Sequence, residues 1–152
     1  MNSRDTIIVL NDLLEAELMA LEYYRIHADA IVEPEIAEGV KGIIPAEHAH
    51  AVSLTTRIYE LGGEPVRPGG SASERGKQLG EESKNQGTLS MLKMELLQEQ
   101  QAIKDYAISV ADVMDDIETL EMLEEQLFDE MRHAKWLKQR IAELEGRTMC
   151  PV

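Results

Sequence analysis

With 152 residues the chain has room for one domain with a sizeable core, and not for two ordinary ones. Its 29 acidic against 15 basic residues leave a formal charge of -14, which repels phosphate backbones and anionic lipid; nucleic acid and membranes are not expected as partners, whereas small cations suit it. No apolar run approaches the ~20 residues of a membrane helix, and the start lacks the order of a signal peptide, so a soluble cytoplasmic protein is the expectation.

Aromatic residues make up only 4% of the chain, and the abundance of Leu, Glu, Ala, Met, Lys and Gln favours helices over strands. Residues 5–31 place Leu10, Leu14, Leu21, Ala28 and Ile31 on one helical face, and Pro34 then marks a turn. A second helix, 35–61, carries Ile36, Val40, Ile43, Leu54, Ile58 and Leu61, with Gly62 and Gly63 as its stop. Pro45 threatens this helix from within, because proline removes a backbone donor; the second helix could instead begin there. The register of Ile36, Val40 and Ile43 through the break favours one continuous helix.

Residues 62–87 read as a long crossover rich in Pro and Gly, with room for a short helix after Ser71 or Ser73. A third helix, 88–114, shows Leu89, Leu92, Leu96, Ile103, Tyr106, Val110 and Val113. A fourth, 117–145, shows Leu120, Leu123, Leu127, Leu137, Ile141 and Leu144. Short turns after the first and third helices make antiparallel neighbours, and the long crossover returns the chain along the bundle. The expectation is one all-α domain, a four-helix up-down bundle with its crossover between helices 2 and 3.

Each apolar stripe is interrupted near mid-helix by a glutamate: Glu17, Glu47, Glu99 and Glu130. Two of them carry a histidine three residues on, His50 and His133, which a helix places on the same face. Four buried carboxylates without partners would be prohibitively costly. Two divalent cations would cancel their charge, with the two imidazoles neutral and donating one nitrogen each. The lone cysteine, Cys150, rules out a thiolate cluster, so any metal must be held by carboxylate and imidazole. Iron and manganese fit that donor set. The order Glu, Glu-x-x-His, Glu, Glu-x-x-His is that of di-iron carboxylate bundles. Tyr24, seven residues after Glu17, borders the same spot and could hydrogen-bond a ligand or supply an electron.

At these residues the chain resembles the ferritin-like superfamily, in particular the bacterioferritin and Dps-like bacterioferritin branch. The resemblance lies in Ala16-Glu17-Leu18-Met19-Ala20, Glu47-His48-Ala49-His50, Glu99-Gln100-Gln101-Ala102-Ile103 with Tyr106, and Glu130-Met131-Arg132-His133 with Trp136 and Leu137. It implies a ferroxidase centre with Glu17, Glu47, His50, Glu99, Glu130 and His133 as ligands and Glu47 and Glu130 as bridges. It also implies two iron ions, with manganese or zinc as substitutes, oxidation of Fe2+ by O2 or H2O2, and ferric mineral stored inside a homo-oligomeric shell. Bacterioferritins bind haem through a methionine where this chain has His48, so methionine-bound haem is not expected; a bis-histidine haem is the alternative, against a surface or interface role for His48. Dps-type proteins bind DNA through a lysine-rich tail, and residues 1–5 offer one basic side chain. The seven residues after Glu145 are too few for the extra helix of 24-subunit shells, which favours a dodecamer, or a small oligomer, over a 24-mer.

Glu95, one turn before Glu99, could replace it or shuttle iron, but Leu96 beside it continues the apolar stripe and solvation is the expected fate of Glu95. Glu15 loses to Glu17 on the same ground. His27 reads as a boundary histidine, and Trp136 and the methionines as packing. Two rivals remain: a rubrerythrin-like or manganese-catalase-like peroxidase, which shares the ligand logic, and a metal-free helical oligomerisation protein.

Overall fold

The computed structural model describes residues 1–149, with side chains to residue 146; Cys150 lies outside the described residues. Among them stand five helices and no strand: α1 (Ser3–Ala30), α2 (Pro34–Glu60), α3 (Ser71–Lys84), α4 (Thr88–Asp112) and α5 (Ile117–Met149). α1 pairs with α2 and α4 with α5, while α1 also meets α4 and α2 meets α5, which closes the four-helix ring. The turns of residues 31–33 and 113–116 are too short for anything but antiparallel neighbours. The all-α bundle with a long crossover is therefore the architecture.

Local chemistry explains the boundaries. The Asn2 side chain accepts a hydrogen bond from the Asp5 N–H at 2.9 Å and caps α1. Pro34 opens α2, where its missing N–H is harmless, and Gly62, at φ +86°, turns the chain out of it. α2 runs unbroken through Pro45, which lies on the exposed side, so only the Lys41 carbonyl loses its helical partner. Gly39 on the same helix lets the Trp136 indole lie flat on the backbone; a Cβ there would stand 2.0 Å from Trp136 Cζ2.

The crossover is built rather than loose. Asn11 of α1 donates to the Glu64 carbonyl at 3.1 Å and accepts from the Val66 N–H at 2.9 Å, pinning its extended start. α3 then lies against α1 through small residues, Ala72, Ser73, Gly76, Gly80 and Ser83. A Cβ at Gly76 would be 2.2 Å from the Met19 carbonyl oxygen, so the two backbones are in direct contact.

The apolar core comes in two pieces. One gathers Leu10, Leu14, Leu54, Ile58, Tyr106 and Leu123; the other gathers Tyr24, Val40, Ile43, Leu92 and Leu137. Between them, at the middle of all four long helices, runs a band of buried glutamates.

Candidate metal centre

Glu17, Glu47, Glu99 and Glu130 are each at most 2% exposed. Helix periodicity explains why: each occupies a core-facing position of its helix, in line with leucines a turn or two away, so the carboxyls of four helices point at the bundle axis. His50 is buried with them, and His133 is 12% exposed at its side chain.

The six side chains form two overlapping quartets, Glu17, Glu47, His50 and Glu130, and Glu47, Glu99, Glu130 and His133; within each, one ligand atom per residue lies within 4.8 Å of every other. Glu47 and Glu130 stand in both. His50 Nδ1 lies 3.4 Å from Glu17 Oε1, 3.4 Å from Glu130 Oε1 and 3.6 Å from Glu47 Oε1. His133 Nδ1 mirrors it, 3.4 Å from Glu47 Oε1, 3.5 Å from Glu130 Oε1 and 3.7 Å from Glu99 Oε1. These separations are long for hydrogen bonds, and Glu17 Oε2, Glu47 Oε1, His50 Nδ1, Glu99 Oε2, Glu130 Oε1 and His133 Nδ1 are buried without a partner. Donor atoms about 3.4 Å apart are what a shared ion at ~2.1 Å from each would subtend. The residues present therefore fit two cations.

The surroundings hold these side chains in place. The Tyr24 hydroxyl donates to Glu99 Oε1 at 2.5 Å, and the Tyr106 hydroxyl to Glu17 Oε1 at 2.8 Å. Each phenol sits seven residues beyond the glutamate of its own helix and serves the glutamate of the other, α1 to α4 and α4 to α1. His50 turns Nε2 to Asp129 Oδ2 at 2.8 Å, which leaves Nδ1 facing the carboxylates of Glu17, Glu47 and Glu130.

The electrostatics are those of a site waiting for positive charge. Burial and neighbouring carboxylates push Glu17 and Glu47 up, and burial with Glu130 nearby raises Glu99 to about 8. Burial alone would depress His50 and His133, but the carboxylates of Glu130 and Glu17 outweigh it at His50, and those of Glu130 and Glu99 at His133; both rise to about 9. Burial would also raise Glu130, yet the facing imidazoles of His133 and His50 hold it well below the ordinary range. Protons occupy the positions that cations would take.

Residues 8–146 match the family described as Ferritin-like domain. The chain belongs to that family. Among solved structures, this ferritin-like chain is similar to one described as ferritin like, diiron-carboxylate proteins from Bacillus anthracis str. Ames. The TM-score is 0.73 at 22% identity, covering 91% of this chain and 96% of that one; at such identity the likeness concerns the fold. No curated protein sequence matches.

Two readings of single residues in this ferritin-like bundle are corrected by the structure. Glu95 is not solvated but fully buried, because α4 turns Leu92, Glu95 and Glu99 inward and leaves Leu96 at the edge. His27 is no boundary residue either: it is fully buried and its Nδ1 lies 2.5 Å from Glu95 Oε2. His48 is exposed and Glu15 half-buried, both outside the quartets. Asp129 is a contributor that sequence reasoning passed over, and Tyr106 one that it quoted without a role. The repeated seven-residue spacing, Glu17 to Tyr24 and Glu99 to Tyr106, would have singled out Tyr106; nothing local marks Asp129. A cavity of about 110 Å3 between α1 and α4 is lined by Glu17, Glu47 and Glu130 together with Gln98, Gln101 and Asp105.

Proposed function

We propose that the protein is a ferroxidase of the bacterioferritin or Dps-like kind, which binds Fe2+ at this centre, oxidises it with O2 or H2O2 and stores the product. The observation that carries the reading is the pair of overlapping quartets with their unpartnered buried donor atoms. Iron is the substrate and supplies the redox chemistry, giving up one electron per ion.

The chain's own residues neutralise and position. Glu47 and Glu130, shared by both quartets, are assigned as bridges, Glu17 with His50 as the terminal ligands of one ion, and Glu99 with His133 as those of the other. Four carboxylates balance two dications. Oxygen and imidazole donors suit iron or manganese, and zinc as a substitute. Tyr24, an oxidisable phenol bonded to a ligand, is assigned as the side chain that can give a further electron. A homo-oligomer belongs to this reading, with a twelve-subunit shell as the expectation and light scattering as the check.

Stopped-flow mixing of the metal-free protein with Fe2+ tests the function, with O2 and H2O2 in turn. The expected result is two ions bound per chain and rapid oxidation, both lost in Glu47→Gln with Glu130→Gln. Wild-type binding of fewer than one ion per chain, or oxidation no faster than in buffer, overturns the reading. Turnover of peroxide with manganese, but none with iron, would move the protein to the manganese-catalase class.

A further inference from the structure

Two ionisable side chains outside the six ligands are buried as deeply as any in the molecule. His27 of α1 and Glu95 of α4 are both fully buried, and they stand in series with Ser83 of the crossover helix. Glu95 Oε2 lies 2.5 Å from His27 Nδ1, and His27 Nε2 lies 2.7 Å from Ser83 Oγ. Three helices supply one group each.

The hydrogen bonds have a definite sense. Ser83 donates its hydroxyl hydrogen to the Leu79 carbonyl at 2.7 Å, so its oxygen accepts and His27 Nε2 carries a hydrogen. Burial holds the His27 imidazole down at about 4 and raises the Glu95 carboxyl, consistent with a neutral ring whose Nδ1 accepts from a protonated Glu95. Ser, His and an acid in this order also occur as a hydrolytic triad, but there the serine donates its hydrogen to the imidazole, whereas here that hydrogen goes to the Leu79 carbonyl and His27 Nε2 carries its own. Glu95 Oε1 is buried with no partner, as is one oxygen of each carboxylate in the metal centre. Glu95 precedes Glu99 by one turn on the same face of α4, near enough for their charges to repel.

We propose that Glu95, His27 and Ser83 form a proton conduit from the metal centre to the surface under the crossover helix. The proposal rests on the four-glutamate site being a metal centre. Filling such a site with cations expels protons, and these must leave a dry interior. A proton taken up at Glu95 Oε1 releases the one on Oε2 to His27 Nδ1. His27 passes its Nε2 hydrogen to Ser83 Oγ, and the serine, which keeps 7% of its surface exposed, swings its hydroxyl off the Leu79 carbonyl and gives that proton to solvent. One proton enters, one leaves, and all three groups stay neutral. Rotation of the carboxyl, imidazole and hydroxyl restores the start.

Anaerobic mixing with Co2+ tests this without any oxidation, because d–d absorption reports binding and an indicator dye reports proton release. Glu95→Gln is the decisive variant: its amide can still donate to His27 Nδ1 and keep the tie, but cannot hand a proton on. Cobalt stoichiometry and Tm should match wild type, with proton release slowed by about a hundredfold. Ser83→Ala, at the outer end, should slow release likewise, and it carries the test if Glu95→Gln does not fold. Release at the wild-type rate in the folded variant overturns the conduit while leaving the metal centre intact. No cobalt absorption in the wild type overturns the metal centre and the conduit with it.

Discussion

Asp129 shows how much of this site lies outside its ligand set. Its carboxylate holds His50 by Nε2, so the ring can offer only Nδ1 to an ion. Asp129→Asn keeps the size but removes the charge that favours this orientation, and calorimetric titration with Co2+ should show affinity reduced by about 10–100-fold. Unchanged affinity would mean that packing alone orients His50. The four glutamates were legible in the sequence because a carboxylate inside an apolar stripe has no cheap explanation, and the Glu-x-x-His spacing added direction. Glu95 was not, since Leu96 beside it offered a competing apolar register. The inner face of α4 became clear only when helix packing selected Leu92, Glu95 and Glu99. His27 failed for a related reason: its partners lie 56 and 68 residues away, on α3 and α4.

At the scale of elements, the four long helices followed from their periodicity, whereas α3 was seen only as room for a short helix. Its buried face is Ala72, Ser73, Gly76, Gly80 and Ser83, which carries no apolar signal because its job is close approach rather than area. Gly76→Ala should therefore force α3 away from α1 and cost about 1–3 kcal/mol, the range for overpacked sites, read by urea unfolding. Pro45→Ala is the opposite case. It returns an N–H to the Lys41 carbonyl without entering the core, and should stabilise by up to about 3 kcal/mol. A loss of stability in Pro45→Ala would show that the proline ring, and not the lost hydrogen bond, governs this stretch of α2.

The whole molecule should advertise its centre through pH. His50 and His133 sit at about 9 against an ordinary 6.5, so the folded state holds protons that the unfolded state releases; the stability they confer is full below pH 6.5 and lost as pH rises to about 9. Glu99, raised from 4.5 to about 8, acts in the same direction across its own window. His27, depressed to about 4, runs oppositely and removes stability as pH falls from 6.5. Calorimetry of the metal-free protein should thus give a Tm that declines from pH 6.5 to 9. With Zn2+ bound the decline should vanish, since the cation has replaced the protons. A metal-free Tm that climbs over that window would contradict the assigned proton positions.

The six candidate donors are dealt evenly between the two hairpins, Glu17, Glu47 and His50 on one side and Glu99, Glu130 and His133 on the other. A cut at residues 85–87 would part the polypeptide into two fragments, each with three donors and neither with a complete quartet. If the centre takes divalent cations as proposed, reassociation of such halves should tighten when they are added, making the severed protein a reporter whose output is its own reunion.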